Sequence, residues 1–227
     1  MKYNRFNNID FSDYFIWTIC YSWLIIDSVN GYFWNLGVSL PISQGIKSLL
    51  LIVLSYKFLH NKNFLFNFLL FLFLLAILFI SSGIYYYPFL GTLQHLSKLL
   101  LTICLFIYFR NCILTWKNDS FEYKAFLVFK IGIIVLYANI FLGLLGIGFN
   151  TYSYGEFGYK GFFASGNELG GLAVVLVPVL LYWAYFSLSR FYYLIVTFLS
   201  IAFGFVLGTK AVIIIVIFFS CFIPYIY

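Results

Sequence analysis

Four lysines and the polar start of one apolar segment are where this sequence could do chemistry. Lys47 follows LPISQGI, Lys98 lies in GTLQHLSKLL, Lys160 opens the stretch GYKGFFASGNELGG, and Lys210 lies in LGTKAV. Each borders or enters a long apolar run. An ammonium group is expensive there, so it usually faces a polar interior or marks a ligand. The competing reading is that each lysine extends its stem to a water interface. Asn167 and Glu168 raise the same question, because they precede the uncharged run LGGLAVVLVPVLL. Ser165 and Glu168 form the S-x-x-E pattern of a helix capping box. A helix start of that kind presents free N–H groups and the positive end of the dipole, and both favour an anion. The spacing therefore predicts anion binding, with Lys160 just ahead of the helix. The bland alternative is a well-capped helix packed through its small residues.

Other chemistries lack the residues they need. The sequence has no G-x-G-x-x-G, no phosphate-binding Walker loop, no H-E-x-x-H and no paired-aspartate metal motif. No metal and no cofactor is expected. Cys20, Cys104, Cys112 and Cys221 form no C-x-x-C pair and sit in or beside apolar runs, as small buried hydrophobes do. The net charge of +6 comes from cations scattered between apolar runs. Membrane topology accounts for that pattern, and nucleic acid is not expected as a partner.

The elements that must position these residues are membrane helices. Of 227 residues, 64% are hydrophobic and 9% charged, and the mean hydropathy is +1.01. A soluble domain carries about 25% charged residues. The apolar runs are continuous rather than alternating, which selects helices over a barrel. The expected fold is all-α: a single polytopic transmembrane bundle over residues 1–227, with no soluble domain. Eight spans are predicted, near 14–34, 42–59, 64–84, 92–109, 126–148, 167–187, 191–207 and 211–227. Placing the N-terminus in the cytoplasm puts Lys2, Arg5, Lys57, Lys62, Arg110, Lys117, Lys124, Lys130 and Arg190 inside, as the positive-inside bias requires. Residues 111–124 become a cytoplasmic loop. Lys47, Lys98, Lys160 and Lys210 are left at the outer side, where cations are disfavoured, and this argues for a shared anionic ligand.

At GYKGFFASGNELGGLAVVLVPVLL (158–181) and FGFVLGTKAVIIIVIFF (203–219) the sequence resembles the O-antigen ligase and polysaccharide polymerase family. In that family a Gly-Phe-Phe approach leads into a Pro-Asn-x-x-Ala helix start, and a later span ends in a Ser-Arg or Thr-Lys pair. Asn167 stands at the family's asparagine and Lys210 at its basic residue. Gly166 replaces the common proline, and Lys210 replaces the common arginine, giving a point charge rather than a planar two-point contact.

The resemblance implies a membrane enzyme that transfers glycans from undecaprenyl diphosphate to a hydroxyl acceptor. It would work at the outer face of the bacterial cytoplasmic membrane, in capsule, exopolysaccharide or O-antigen assembly. Its partners would be the lipid-linked oligosaccharide and membrane lipids, with room for other polysaccharide-assembly proteins. Lys160, Asn167, Lys210, Lys98 and Lys47 would hold the diphosphate, and Ser165 and Glu168 would cap the helix. The resemblance assigns no catalytic residue here. Family members usually have ten or more spans and a large outer loop, so the chain is expected to be the N-terminal portion of a longer protein. Two other readings stay open: a transporter or flippase for a lipid-linked saccharide, and a non-catalytic membrane fragment.

Overall fold

The computed structural model describes residues 11–38, 40–60, 69, 72, 76, 89–115, 118–152 and 158–226. Among them are seven helices: α1 (Phe11–Asn35), α2 (Ile42–His60), α3 (Phe89–Thr115), α4 (Asn118–Leu144), α5 (Gly166–Ser187), α6 (Arg190–Leu207) and α7 (Lys210–Ile226). A short ribbon of β1 (Phe149–Asn150) and β2 (Tyr159–Gly161) lies between α4 and α5. Five stretches are long and apolar enough to cross a bilayer: Ile42–Leu59, Leu96–Leu114, Ser120–Leu144, Gly166–Ser187 and Arg190–Leu207. The chain is a membrane-type helical protein, and no soluble domain is evident among the described residues. Of the predicted span 64–84 only residues 69, 72 and 76 are described; α1, over the predicted span 14–34, and the 17-residue last helix are not among the five.

The predicted cytoplasmic loop 111–124 is mostly helical. α3 continues to Thr115 and α4 begins at Asn118. NCILTWKNDSFEYK contains neither glycine nor proline, so nothing in it forces the helices to stop where the apolar runs do. The β-ribbon is a second departure, since helices alone were expected. It pairs Phe149 with Gly161 and Asn150 with Tyr159, with an irregularity between the two pairs. Gly161, at φ +60°, ends the second strand in a conformation that suits glycine.

The described residues divide into two compact units. The first comprises residues 11–20 and 43–124, and the second residues 21–42 and 125–226. In the first unit α1, α2 and α3 meet around a buried carboxylate. Asp13 is 7% exposed, pairs with Lys57, and accepts a hydrogen bond from the Tyr108 hydroxyl at 2.7 Å. Lys57 also donates to Ser12 Oγ at 3.3 Å and lies 5.4 Å from the Tyr108 ring centre. The buried carboxylate is tolerated there because an ammonium and a hydroxyl both meet its Oδ1.

The second unit is built on α5. Leu169, Ala173, Leu176, Val177, Leu181 and Ala184 are buried at helical spacing and give α5 an inward stripe against α6 and α7. α6 and α7 are short antiparallel partners joined by the left-handed C-cap Gly208 at φ +70°. Two hydroxyl contacts cross the apolar interior. Tyr137 and Ser200 approach to 3.0 Å, and the Tyr193 hydroxyl donates to Ser220 O at 3.0 Å. Such hydrogen bonds help hold helices together where water cannot compete.

Candidate functional site

The segment ahead of α5 is pinned at several points. Ser165 has extended backbone angles and its Oγ accepts from Glu168 N at 3.2 Å, so it is the N-cap of α5. The reciprocal half of the capping box is absent among the described residues, and Glu168 is exposed. Further back, Asn139 of α4 holds the loop from below. This residue is 5% exposed. Its Oδ1 accepts from Phe162 N at 3.0 Å, while its Nδ2 donates to Ser28 Oγ at 3.1 Å and Val135 O at 2.9 Å. Asn35, the last residue of α1, holds the next link by donating to Phe163 O at 3.1 Å and Gly31 O at 2.7 Å.

Lys160 is part of the same clamp. Its ammonium donates to Asn35 Oδ1 at 2.8 Å and to Ala164 O at 2.9 Å. An ammonium has three donors. Among the described residues two are used. Burial holds the Lys160 ammonium below the usual lysine range, and the nearby Glu168 carboxylate works against that shift.

Glycines let the pieces close. A Cβ on Gly31 would lie 2.3 Å from Phe162 O and 2.4 Å from Ala164 N, so α1 touches the loop backbone directly there. A Cβ on Gly166 would lie 2.1 Å from Thr151 Cγ2. This gives a physical reason for glycine at the first position of α5. On the inner stripe of α5, Gly170 lies against Thr209, with 3.1 Å from an added Cβ to Thr209 Cγ2. Thr209 directly precedes Lys210, the first residue of α7. The starts of α5 and α7 therefore meet at one end of the second unit.

The predicted site residues divide as follows. Asn167 and Lys210 are exposed at the starts of α5 and α7, and Lys160 is half-buried in the loop clamp. All three belong to the second unit. Lys47 and Lys98 belong to the first unit, where both line one cleft between α2 and α3. The hydroxyl oxygens of Thr151 and Thr209 are buried without a hydrogen-bond partner among the described residues. Both threonines contact glycines of the first turns of α5. An apolar cleft of about 550 Å³ lies between α1 and α4, with Ile25, Tyr32, Ile134, Ile147 and Phe162 among its walls and Ser28 and Asn139 beside them.

Asn35 and Asn139 were not anticipated from sequence. Their signal was available: an amide inside an apolar helix is costly unless it has a job. Among the described residues no group of three or more potential metal ligands comes together. Neither a family model, nor a curated protein, nor a solved structure matches this chain.

Proposed function

We propose that this chain is a membrane polysaccharide polymerase or ligase of the O-antigen type, or the N-terminal portion of one. It would act on undecaprenyl-diphosphate-linked glycans at the outer face of the bacterial cytoplasmic membrane. The observation that carries this reading is the contact between Gly170 and Thr209. It joins the capped start of α5 to the start of α7, so two positive helix ends and Lys210 share one end of the unit. The Lys160 ammonium and the buried hydroxyls of Thr151 and Thr209 lie around that end.

In this reading the reaction breaks a sugar–phosphate bond as an acceptor hydroxyl attacks the anomeric carbon. The lipid diphosphate leaves with the bonding electron pair, and the proton of the attacking hydroxyl passes to the departing phosphate oxygen or to water. Donors fixed where that negative charge grows lower the barrier without reorganising. Lys210 supplies a mobile charge, while Lys160 and the helix starts supply fixed ones. The apolar cleft beside Phe162 has the chemistry to take the prenyl chain. The reading includes eight spans, a cytoplasmic N-terminus and residues 158–166 outside. A cysteine at position 159 labelled only from the cytoplasm would overturn that orientation.

The decisive test replaces Lys210 in the intact locus. A charge-assisted contact is worth about 1.5–3 kcal/mol, or roughly ten- to a hundredfold in rate. Lys210→Arg should keep most polymer and Lys210→Gln should lose it, both at normal protein level. Normal polymer length and amount in the Lys210→Gln strain would reject the site.

A further inference from the structure

We infer that the first unit carries an anion site for a phosphate group, formed by Lys47 and Lys98 in the cleft between α2 and α3. The cleft has a volume of about 80 Å³ and is lined by Gln44, Lys47, Ser48 and Leu51 of α2 and by Ser97, Lys98 and Leu101 of α3. It shares no residue with the α5 start and does not depend on the function proposed above.

Helical spacing explains why these side chains meet. Gln44, Lys47, Ser48 and Leu51 follow one another at i, i+3, i+4 and i+7, so they form one face of α2. Ser97 and Leu101 are one turn apart on α3, with Lys98 next to Ser97. Every polar lining residue is a donor: two ammonium groups, two hydroxyls and one amide. None of the seven carries a negative charge. An anion in the cleft would meet ammonium and hydroxyl donors from both helices at once. Gln44 and Lys47 also fall in the first two turns of α2, near the positive end of its dipole.

The cleft has a second character. Leu51 lies one turn beyond Lys47, and the buried Leu101 lies almost one turn beyond Lys98. The lining thus changes from cationic to apolar along the helices, as a phosphorylated amphiphile does from headgroup to chain. A volume of 80 Å³ exceeds the roughly 30 Å³ that one water occupies in the liquid, so a tetrahedral oxyanion can replace several waters there. The ligand chemistry is a phosphate mono- or diester. Its source is either an anionic phospholipid headgroup or a free phosphate.

The test uses the full chain in phosphatidylcholine nanodiscs and detects bound lipid by native mass spectrometry. Phosphatidylglycerol and inorganic phosphate are titrated separately. Retention of one phosphatidylglycerol that inorganic phosphate fails to displace identifies the lipid as the source. Displacement by inorganic phosphate identifies free phosphate. In either case Lys47→Gln and Lys98→Gln should each weaken binding about tenfold, the scale of one charge-assisted contact, and Lys47→Arg should retain it. Equal binding by wild type and both glutamine variants would overturn the site, as would no retention of either probe. A measurement free of substitutions stands beside these. Phosphatidic acid with a photoreactive group next to its phosphate should crosslink within residues 44–51 or 97–101, and adducts confined elsewhere would reject the proposal.

Discussion

The Lys160 ammonium donates to Asn35 Oδ1 at 2.8 Å, and the amide nitrogen of the same Asn35 donates to Phe163 O at 3.1 Å. Lys160 is therefore a strut of its own loop as well as a charge. Hydrogen bonds to charged groups contribute about 1.5–3 kcal/mol. Lys160→Met should speed backbone hydrogen exchange in 158–164 by roughly tenfold or more, with little change in α6 and α7. Unchanged exchange would mean that Lys160 serves only as a charge. Burial lowers its proton affinity in the folded state, so the unfolded chain binds more protons just below the ordinary lysine range of about 10.4. Stability must then rise with pH through that window, and Lys160→Met should flatten the slope.

Asn139 should be the least replaceable polar residue of the second unit. Asn139→Leu strands the Phe162 N–H and the Ser28 hydroxyl in a buried place. Each orphaned group costs about 1–3 kcal/mol. Thermal unfolding in detergent should show a loss of several degrees. Asn139→Asp keeps an acceptor for Phe162 but buries an unpaired carboxylate against the Val135 carbonyl, so it should cost at least as much as leucine at neutral pH.

Gly166 and Thr151 should behave as a coupled pair. Gly166→Ala places a methyl group 2.1 Å from Thr151 Cγ2, a distance no packing tolerates. Overpacking costs about 1–3 kcal/mol. Adding Thr151→Ala removes the clashing atom and should restore much of the loss. A double-mutant cycle with no coupling would show that the two residues do not touch.

The Asp13–Lys57 pair offers an opposite test. Removing one partner of a buried pair costs about 3–5 kcal/mol, while replacing both with apolar residues is often close to neutral. Asp13→Leu and Lys57→Met should each lower the yield of folded protein, and the double variant should recover it. Tyr108→Phe removes one bond to the carboxylate and should cost about 1–2 kcal/mol.

Ser165→Ala removes the bond to Glu168 N and should cost about 1 kcal/mol at the start of α5. The measurable sign is faster exchange of the first α5 amides with protein level close to normal. Loss of polymer at unchanged protein level would give Ser165 a role beyond the cap.

The sequence carried the helical frame well wherever local signals are strong. Residues 167–187, 191–207 and 211–227 were expected as spans, and the helices run Gly166–Ser187, Arg190–Leu207 and Lys210–Ile226. Serine caps and the Gly208 turn mark those ends within a few residues of chain. The eight-span count rests on hydropathy alone, and five helices meet the length and hydropathy a crossing needs. What remained hidden depends on distant pairs. Asn35 meets Lys160 across 125 positions and Asn139 meets Phe162 across 23, and no local spacing encodes either. The same holds for Lys47 and Lys98, whose common cleft arises from the packing of α2 on α3. The β-ribbon leaves no periodic signal, because its strands are only two and three residues long.

The contact between Asp13, in the first turn of α1, and Lys57, near the end of α2, constrains how the protein is made. During synthesis the carboxylate emerges some forty residues before its ammonium partner, about the length of one helical hairpin. The ion pair of the first unit can close only after α2 has followed the start of α1 out of the ribosome. Packing around the carboxylate therefore has to wait for Lys57, and for Tyr108 about fifty residues later still, so the polar centre of the first unit is completed by α3.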